Sequence, residues 1–422
     1  MNKCKLGDVA SVIISNVDKK SYENEIKVKL CNFTDVYYNW AITLRDEPKL
    51  MVATATNNEI CKYKLHKGDV AITKDSETKE DIGQSTLIAD EISDMLLGYH
   101  CALIRPNTDK LLGAYLNAVL HTKLATRYFE LNASGSGQRY TLSVDAINDF
   151  QLYLPSINEQ ERISKILTDI DRKIENNTCI NDNLAQMLRL LYEQWFYRFE
   201  FPNEKNLPYN RANGELEWND KLKRRIPKGW KVQTMLSNEL FSVISSGIDR
   251  FSTKKYYATA DIIGSSIGEG SDIEYETRES RANMQPVINS VWFAKMKNSI
   301  KHLFLNKEMS SFVDNSILST GFYGLKCNEI SFEYISSVVS APIFEITKDR
   351  LSHGATQQGI GDDDLANMAL LVPDKATLSK YHEATKGLYS QISNNILENR
   401  RLVAIRNFLL PLLMNGQAII AE

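Results

Sequence analysis

Two long segments of the chain carry apolar residues at the spacing of a coiled-coil seam. From about residue 158 to 196 the seam positions recur every seven residues, which predicts a long amphipathic helix. These positions hold Leu167, Ile174, Asn181, Leu188 and Trp195 on one line, and Ile163, Ile170, Asn177, Leu184 and Leu191 on the other. From about 376 to 414 a second seam holds Leu388, Ile392, Asn395, Asn399, Leu402, Leu409 and Leu413, and Thr385 and Arg406 also fall on it.

Asparagine occupies both seams near their middle. Asn177 and Asn395 lie 218 positions apart (395 − 177 = 218), as do Asn181 and Asn399 (399 − 181 = 218). A polar side chain in an apolar seam costs stability but fixes register, because only one alignment lets the amides pair. We therefore predict an antiparallel helix pair in which the asparagines meet. The alternative is a seam that is offset, with the asparagines exposed.

The same offset relates other parts of the two halves of the chain. "LYLPS" (152–156) aligns with "LLVPD" (370–374), and "KIENN" (173–177) aligns with "QISNN" (391–395). The sequence thus predicts two repeated halves, each a globular portion followed by a long helix. Runs such as "ASVIIS", "DVAITK", "CALIRP" and "SVWFAKM" predict strands, and "GAYLNAVLHTKLATRYFEL" predicts a helix. Residues 198–231, rich in Pro, Asn and Gly, predict an irregular connector. The fold class is α+β.

Composition and charge fit an ordinary folded protein. A length of 422 residues predicts two or three domains. The net charge of −3 argues weakly against a nucleic-acid partner, since charge can be local. Basic residues cluster in "KLKRRIPKGWK" (221–231) and mix with aromatics in "DRFSTKKYY" (249–257), although solvated surface lysines are an equal alternative. The six unpaired cysteines and the lack of a signal peptide or membrane span predict a cytoplasmic protein.

Motifs for catalysis are absent from the sequence. It has no phosphate-binding loop, no dinucleotide fingerprint and no amino-methyltransferase tetrapeptide. Glu383 and Lys386 resemble part of a nuclease metal site, but their spacing is wrong and they fall in a predicted helix. The histidines show no ligand-like pairing. We therefore predict no catalytic residue, no bound metal and no cofactor for this chain.

The long first-helix segment and its surroundings resemble one known family. "LPSINEQERISKILTDIDRKIENN…LAQMLRLLYEQWFYRFEF" (154–201) and "IPKGWKV" (226–232) are similar to the specificity subunit of type I restriction–modification systems. The resemblance covers essentially the whole chain. It implies a first target-recognition domain at 1–155, a central helix at 156–200, a connector and second target-recognition domain at 201–373, and a C-terminal helix at 374–422. The second copy has "PDKATLSKYHE" in place of "PSINEQERISK", so its Glu-Gln pair is missing.

The resemblance also implies a function without catalysis. Each recognition domain is expected to bind one half of a bipartite, asymmetric target in double-stranded DNA, while the helices set the spacing and dock two modification subunits. Those subunits are expected to carry S-adenosylmethionine and to methylate adenine, and a motor and nuclease restriction subunit completes the assembly. No membrane partner is expected. The alternative is a coiled-coil scaffold with two protein-interaction domains that does not bind DNA.

Candidate DNA-binding residues combine hydrogen-bonding side chains with flexible loops. Base edges are recognised by Arg, Lys, Asn, Gln and small hydroxyl side chains. In the first half the loop "ASGSGQRY" offers Ser134, Ser136, Gln138, Arg139 and Tyr140, and its counterpart in the second half offers His353, Thr356, Gln357 and Gln358. Second-rank candidates are Arg45, Lys74, Lys254, Lys255, Lys295 and Lys297. The alternative for the loops is a turn whose Gln caps the next element, and for nearby aromatics such as Trp40 it is core packing.

Overall fold

The computed structural model describes residues 2–37, 39–135, 138–354 and 358–417. The chain divides into two compact units, which we call unit 1 and unit 2. Unit 1 comprises Met1–Lys173 together with Leu402–Glu422, and unit 2 comprises Ile174–Arg401. Within the described ranges, no helix is both long enough and apolar enough to cross a membrane.

The globular part of unit 1 is built mainly from short strands. Its strands are β1 (Asn2–Lys5), β2 (Ala10–Ile14), β3 (Ile26–Cys31), β4 (Ala41–Ile42), β5 (Met51–Ala55), β6 (Val70–Thr73), β7 (Asp75–Ser76), β8 (Ser85–Ile88), β9 (Met95–Leu97), β10 (Cys101–Pro106), β11 (Ser134–Gly135), β12 (Tyr140–Thr141) and β13 (Gln151–Leu154). The main sheet has the order β2-β10-β6-β8-β4, and a second sheet has the order β5-β3-β9, with β3 and β9 parallel. A third, small sheet joins β11, β12 and β7.

Unit 2 contains the remaining strands. They are β14 (Leu216–Asn219), β15 (Arg224–Pro227), β16 (Lys231–Thr234), β17 (Phe241–Val243), β18 (Thr253–Tyr257), β19 (Ile262–Ile263), β20 (Ser266–Ile267), β21 (Ser271–Glu274), β22 (Ala282–Met284), β23 (Ser290–Ala294), β24 (His302–Leu305), β25 (Ser316–Ser319), β26 (Phe322–Cys327) and β27 (Ala369–Val372). One sheet has the order β17-β26-β23-β24 and another β21-β18-β25-β22, with β18 and β25 parallel. The first of these sheets has one strand fewer than the main sheet of unit 1, and the second has one strand more than the β5-β3-β9 sheet.

Most helices are short, and two are long. The short ones are α1 (Phe33–Val36), α2 (Asn57–Tyr63), α3 (Gly113–Leu120), α4 (Lys123–Asn132) and α5 (Val144–Asn148) in unit 1, followed after the first long helix by α7 (Ser310–Asp314), α8 (Phe332–Ser340), α9 (Pro342–Leu351) and α10 (Asp362–Asn367) in unit 2. The long helices are α6 (Ile157–Tyr192), extended by a π-helical turn at Glu193–Tyr197, and α11 (Lys375–Met414).

The predicted strands are confirmed, and the predicted helix of unit 1 is divided in two. The four β-branched runs form β2, β6, β10 and β23. The segment after Leu112 forms α3 and α4, because Thr122 caps a new helix by accepting a hydrogen bond from the N–H of Ala125. The prediction of an irregular connector at 198–231 is wrong in part. That segment contains the β14–β15 hairpin, whose turn includes Lys223 at φ 51°.

The start of each long helix explains why the Glu-Gln pair occurs in only one copy. In α6, Ser156 and Glu159 form a capping box, and the buried side chain of Gln160 accepts a hydrogen bond from the N–H of Leu112. At the start of α11, Asp374 caps by accepting from the N–H of Thr377, and Leu378 replaces Gln160 with an apolar side chain in the core of unit 2. The N-termini of α6 and α11 are thus both capped and anchored, but by different side chains.

The helical seams are buried as the periodicity predicts. Every predicted seam position of α6 is buried or half-buried. In unit 1, Ile163 and Leu167 of α6 share one core with Leu410 and Leu413 of α11. The polar seam residue Arg406 also points inward, since its guanidinium lies 4.5 Å from the ring of Trp40 and 3.6 Å from Asp171.

Half-buried His121 gives unit 1 a pH-dependent stability. Its ring packs 4.4 Å from Trp40, and its Nδ1 donates a hydrogen bond to the carbonyl oxygen of Asn117 at 2.8 Å. Burial lowers the pKa of His121 from 6.5 to about 4; the hydrogen bond to Asn117 opposes this shift, and the charge of Arg406 adds to it. The folded protein therefore keeps His121 neutral at pH values where the unfolded chain binds a proton.

We predict that His121→Gln reduces the loss of stability between pH 6.5 and pH 4. Because the unfolded chain is protonated first, the native state loses about 3 kcal/mol over this range through His121 alone. Urea unfolding at a series of pH values measures the free energy of unfolding of wild type and variant. We expect the difference between the two to become smaller as the pH falls. His66→Gln is the control, since that side chain is 48% exposed. A difference that is constant with pH contradicts the prediction.

Candidate nucleic-acid interface

In unit 1 the predicted loop joins a small sheet beside Asp75. Ser134 and Gly135 pair with Thr141 and Tyr140, and Tyr140 and Thr141 pair in turn with Ser76 and Asp75. This pairing brings the loop "ASGSGQRY" next to Lys74, which is distant in sequence. Tyr140 is half-buried, whereas Ser134, Gln138 and Arg139 are exposed. Ser136 lies outside the described residues.

Asp75 is the centre of a charged cluster in unit 1. Its Oδ2 lies 2.7 Å from the ammonium of Lys74, 2.9 Å from Nδ1 of His100 and 3.7 Å from Nη2 of Arg139. Burial raises the pKa of Asp75, but hydrogen bonds from Lys74, His100 and Thr141 outweigh it and lower the pKa overall. Asp75 therefore stays ionised and holds the cations around it.

Arg139 is the member of this cluster that faces solvent. Its side chain is 60% exposed, while that of Lys74 is 15% exposed and is engaged by Asp75. The ring of His100, 2.7 Å from Arg139, stacks on Tyr99 at 3.7 Å. A guanidinium supported in this way keeps free N–H groups for a base edge or a phosphate. Lys74 supports that arrangement, and its predicted direct contact with DNA has little exposed surface available.

Two further residues complete the candidates of unit 1. Arg45 is half-buried in the segment after β4 and lies on a different loop from the Asp75 cluster. Lys79 was not predicted, yet its ammonium lies 5.3 Å from the ring centre of Tyr140. A lysine over a tyrosine ring is a pairing that the sequence order does not reveal.

In unit 2 the candidates converge on the loop between β23 and β24. The ammonium of Lys297 donates to Oε1 of Gln358 at 2.9 Å, and the N–H of Lys297 donates to the carbonyl oxygen of Gln358 at 2.9 Å. His353 pairs with Gly359, which also bridges Met296, so that three segments meet here. Thr356 and Gln357 lie outside the described residues.

Lys295 lies at the base of the same cluster. Its ammonium is 4.4 Å from the ring centre of Tyr323, whose hydroxyl donates to Asp362 at 2.7 Å. Burial lowers the pKa of Lys295, and the charge of Asp362 partly opposes this. The structure thus brings together four candidate DNA-binding residues from separate segments of the sequence: Lys295, Lys297, His353 and Gln358.

Lys254 and Lys255 belong to a different sheet of unit 2. Both lie on β18, where Lys255 pairs with Asp272 at 2.9 Å and Lys254 lies 5.8 Å from the ring of Phe251. Arg250 and Arg278 flank Tyr275 nearby, with Arg278 at 3.9 Å from the ring centre. The mixture of basic and aromatic residues at 249–257 was the signal for this cluster. Arg278 was also a second-rank candidate from the sequence, whereas Tyr275 was missed.

The second basic segment, 221–231, is engaged with its own surroundings. Arg224 lies over the rings of Tyr197 and Phe199, at 5.0 Å and 4.6 Å. Lys228 pairs with Glu215 at 2.6 Å, and Lys231 with Glu239 at 3.2 Å. Local ion pairs and stacking therefore account for much of this charge.

The four seam asparagines are hydrogen-bonded across α6 and α11 in unit 2. Asn177 donates to Oδ1 of Asn399 at 2.9 Å, and Asn395 donates to Oδ1 of Asn181 at 2.8 Å. Asn181 also donates to the carbonyl oxygen of Ile392, and Asn399 to that of Ile174, both at 3.4 Å. The register of these pairs makes the two helices antiparallel here.

These hydrogen bonds are related by the same offset of 218 positions that relates the two halves of the sequence. Adding 218 to Asn177 and subtracting 218 from Asn399 converts the first asparagine pair into the second, and the same exchange converts one carbonyl contact into the other. Asn177 and Asn395 are 1% and 3% exposed. Buried amides without partners would cost about 1–3 kcal/mol each, so the matching register is strongly favoured.

Comparison with known proteins finds a matching family model and similar proteins. A family model described as the type I restriction modification DNA specificity domain matches residues 1–186. The MjaIX specificity subunit of Methanocaldococcus jannaschii, from a type I restriction enzyme, is 25% identical over 332 residues, covering 74% of this chain and 71% of that protein. The HindI specificity subunit of Haemophilus influenzae, also from a type I restriction enzyme, is 21% identical and covers 98% of both chains.

The chain is thus similar to the specificity subunits of type I restriction enzymes, and its residues 1–186 match the model of their DNA specificity domain.

A solved structure shares the fold of this chain. The S subunit of a type I restriction–modification system from M. genitalium aligns with 100% of this chain and 96% of its own, at a TM-score of 0.53 and 12% identity. The fold likeness therefore extends over both units. Among the residues that the structure describes, no group of three or more His, Cys, Asp or Glu side chains could hold a metal ion.

We predict that Asn181 and Asn395 are energetically coupled. Asn181→Ala or Asn395→Ala alone leaves a partner amide unsatisfied and costs about 1–3 kcal/mol, whereas the double variant costs less than the sum. Urea unfolding of the four proteins measures a coupling of about 0.5–1.5 kcal/mol. Asn183→Ala, at an exposed position of α6, combined with Asn395→Ala is the additive control. Additivity in both cycles rules out the coupling.

Proposed function

We propose that this chain is the DNA-recognition subunit of a type I restriction–modification complex, in which each unit binds one half of a bipartite, asymmetric target. The observation that carries the proposal is that a specificity subunit aligns with 98% of this chain. Both halves are then needed for the function, and neither is an accessory. Each unit contains one sheet with a parallel strand pair joined to an antiparallel strand, β5-β3-β9 in unit 1 and β21-β18-β25-β22 in unit 2, but the two units present different side chains, which suits two unlike half-sites.

Each unit offers a polar cluster for its half-site. In unit 1 we assign base contacts to Arg139 and Gln138, with Ser134 and Tyr140 beside them. In unit 2 we assign them to Lys297, Gln358 and His353. These side chains are exposed or half-buried and carry hydrogen-bond donors, as recognition in the major groove requires. Lys254, together with Arg250 and Arg278, is better suited to phosphate contacts, because flexible cations position a protein without reading sequence.

The partners and chemistry follow from this role. We propose that two modification subunits dock on α6 and α11, bind S-adenosylmethionine and methylate adenine in the target. A restriction subunit with motor and nuclease activity completes the complex. On this proposal the repeated halves correspond to two target-recognition domains at 1–155 and 201–373, with the long helices setting the spacing between half-sites. The chain itself contributes recognition and needs no cofactor.

Methylation mapping tests the proposed function directly. Adenine methylation is mapped in DNA from cells that express this chain with its modification subunit, and from cells that lack this chain. We expect a new motif of two short defined sequences separated by an unspecified spacer. If an assembled complex that is active with another specificity subunit gives no new motif with this chain, the proposal is wrong.

We predict that Arg139→Ala and Lys297→Ala affect different half-sites. Each variant removes a donor from one unit only, so binding to the half-site of that unit weakens by about 1–3 kcal/mol and the other half-site is unaffected. Binding of the assembled complex to duplexes mutated in either half measures this. Lys62→Ala, an exposed lysine of α2, is the control.

The pattern across DNA sequences separates base contacts from phosphate contacts. Loss of discrimination at defined positions indicates a base contact. An equal loss for all sequences assigns the residue to the phosphate backbone and contradicts the assignment above.

A further inference from the structure

A buried charged network lies against the loop that carries Lys295 and Lys297. This loop, residues 295–301, connects β23 to β24. Lys348 of α9 is 0% exposed, and its ammonium lies 2.5 Å from Oε2 of Glu345 on the same helix. The ammonium also donates to the carbonyl oxygen of Ser299 at 2.9 Å. A fully buried lysine thus connects α9 to the backbone of the loop.

Glu345 extends the network to the next strand. It is 8% exposed, and its Oε1 lies 2.8 Å from Nε2 of His302, the first residue of β24. Burial raises the pKa of Glu345, but the contacts with His302 and Lys348 outweigh it and lower the pKa overall. The carboxylate therefore remains ionised between the end of the loop and the buried ammonium.

Other hydrogen bonds hold the loop on both sides. Asp349 of α9 accepts a hydrogen bond from the N–H of Asn298 at 3.0 Å, and Asn298 has a left-handed φ of 56°. On the other side, Lys295 accepts from the N–H of Ile360, and Lys297 donates to Gln358. The loop conformation is therefore fixed between α9 and residues 358–360.

Stability alone is a poor reason for this network. A buried ion pair is often matched or exceeded in stability by apolar side chains of similar volume, because taking two charges out of water is costly. What such a pair supplies is direction, since Glu345 balances the charge of Lys348 while the Ser299 carbonyl accepts a hydrogen bond from the same buried ammonium. Recognition of base edges needs donors held within about 0.5 Å of their productive positions.

We propose that Lys348 and Glu345 are positioning residues for DNA recognition by unit 2. They hold the 295–301 loop so that Lys297 and its partner Gln358 meet one half-site in a single geometry. Neither residue reaches DNA itself, as both are buried. This inference rests on the proposed function and adds to it a determinant of specificity remote from the bases.

The test replaces the ion pair with apolar side chains of similar length. Glu345→Met together with Lys348→Met removes both charges and the hydrogen bond to Ser299. We expect the melting temperature to stay close to that of wild type, because the volume is retained and the desolvation cost is removed. In the methylation map, one half of the motif should relax, with discrimination at one or more base pairs falling about tenfold or more, and the other half should be unchanged.

Asp349→Ala provides a second variant at a partly exposed position. It removes the contact with Asn298 without placing a new group in the core, and its side chain is only 26% exposed in the folded protein. It should relax the same half of the motif to a smaller degree. Tyr381→Phe is the matched control, since it deletes a buried hydrogen bond to Ser337 in unit 2 without touching the loop.

The outcomes separate this inference from the proposed function. An unchanged motif in both the double variant and Asp349→Ala overturns the positioning role, as does equal relaxation in Tyr381→Phe. Relaxation of both halves also overturns it, because the network contacts one unit only. No split motif for the wild-type chain contradicts the proposed function instead, before any variant is compared.

Discussion

The alignment of α6 with α11 depends on four asparagine side chains. Apolar seams are tolerant of sliding, because leucine and isoleucine pack adequately in several registers. Asn177 bonds to Asn399 and Asn181 to Asn395, and a shift of one helical turn would leave these amides facing apolar side chains. The loss of partners would cost several hydrogen bonds at once. This layer of four asparagines therefore contributes more to selecting one register of the helix pair than to the stability of the pair.

The layer is self-complementary as well as specific. The two asparagine pairs are counterparts of each other, and so are the two bonds to the Ile174 and Ile392 carbonyls. In the described part of the chain, the bonds from Asn177 to Glu398 and from Asn399 to Thr178 have no such counterpart. In a twofold arrangement of this kind, the same asparagine contact fixes the register of the helices at two places. Replacing both asparagines of one helix removes both asparagine pairs, whereas replacing one asparagine removes one pair.

The sequence predicted the periodic parts of the structure and missed the parts that depend on distant contacts. Seam positions and β-branched runs report local burial, so α6, α11 and strands such as β6 and β10 could be predicted. The hairpin at Leu216–Pro227 was missed because its turn uses Lys223 at positive φ, where glycine or asparagine is the usual signal.

The candidate site shows the same division. The loop around Arg139 was visible from composition, but its support by Asp75 and His100 depends on pairing between β7 and β12. Lys348 gave no signal at all, since a lysine in a short amphipathic helix is normally exposed. Only the fold places it at 0% exposure beneath another loop.

Several lysines of this protein are paired with carboxylates, and this has a consequence for how recognition and affinity are divided. Lys74, Lys228, Lys231, Lys255 and Lys348 each lie within 3.2 Å of a carboxylate oxygen. Paired cations attract phosphate weakly, because their field is partly cancelled, and the net charge of −3 adds no general attraction. Side chains held in fixed directions are suited to discriminating between sequences. We infer that this chain supplies mainly the discrimination, and that neighbouring subunits of the complex supply much of the non-specific attraction to the DNA backbone.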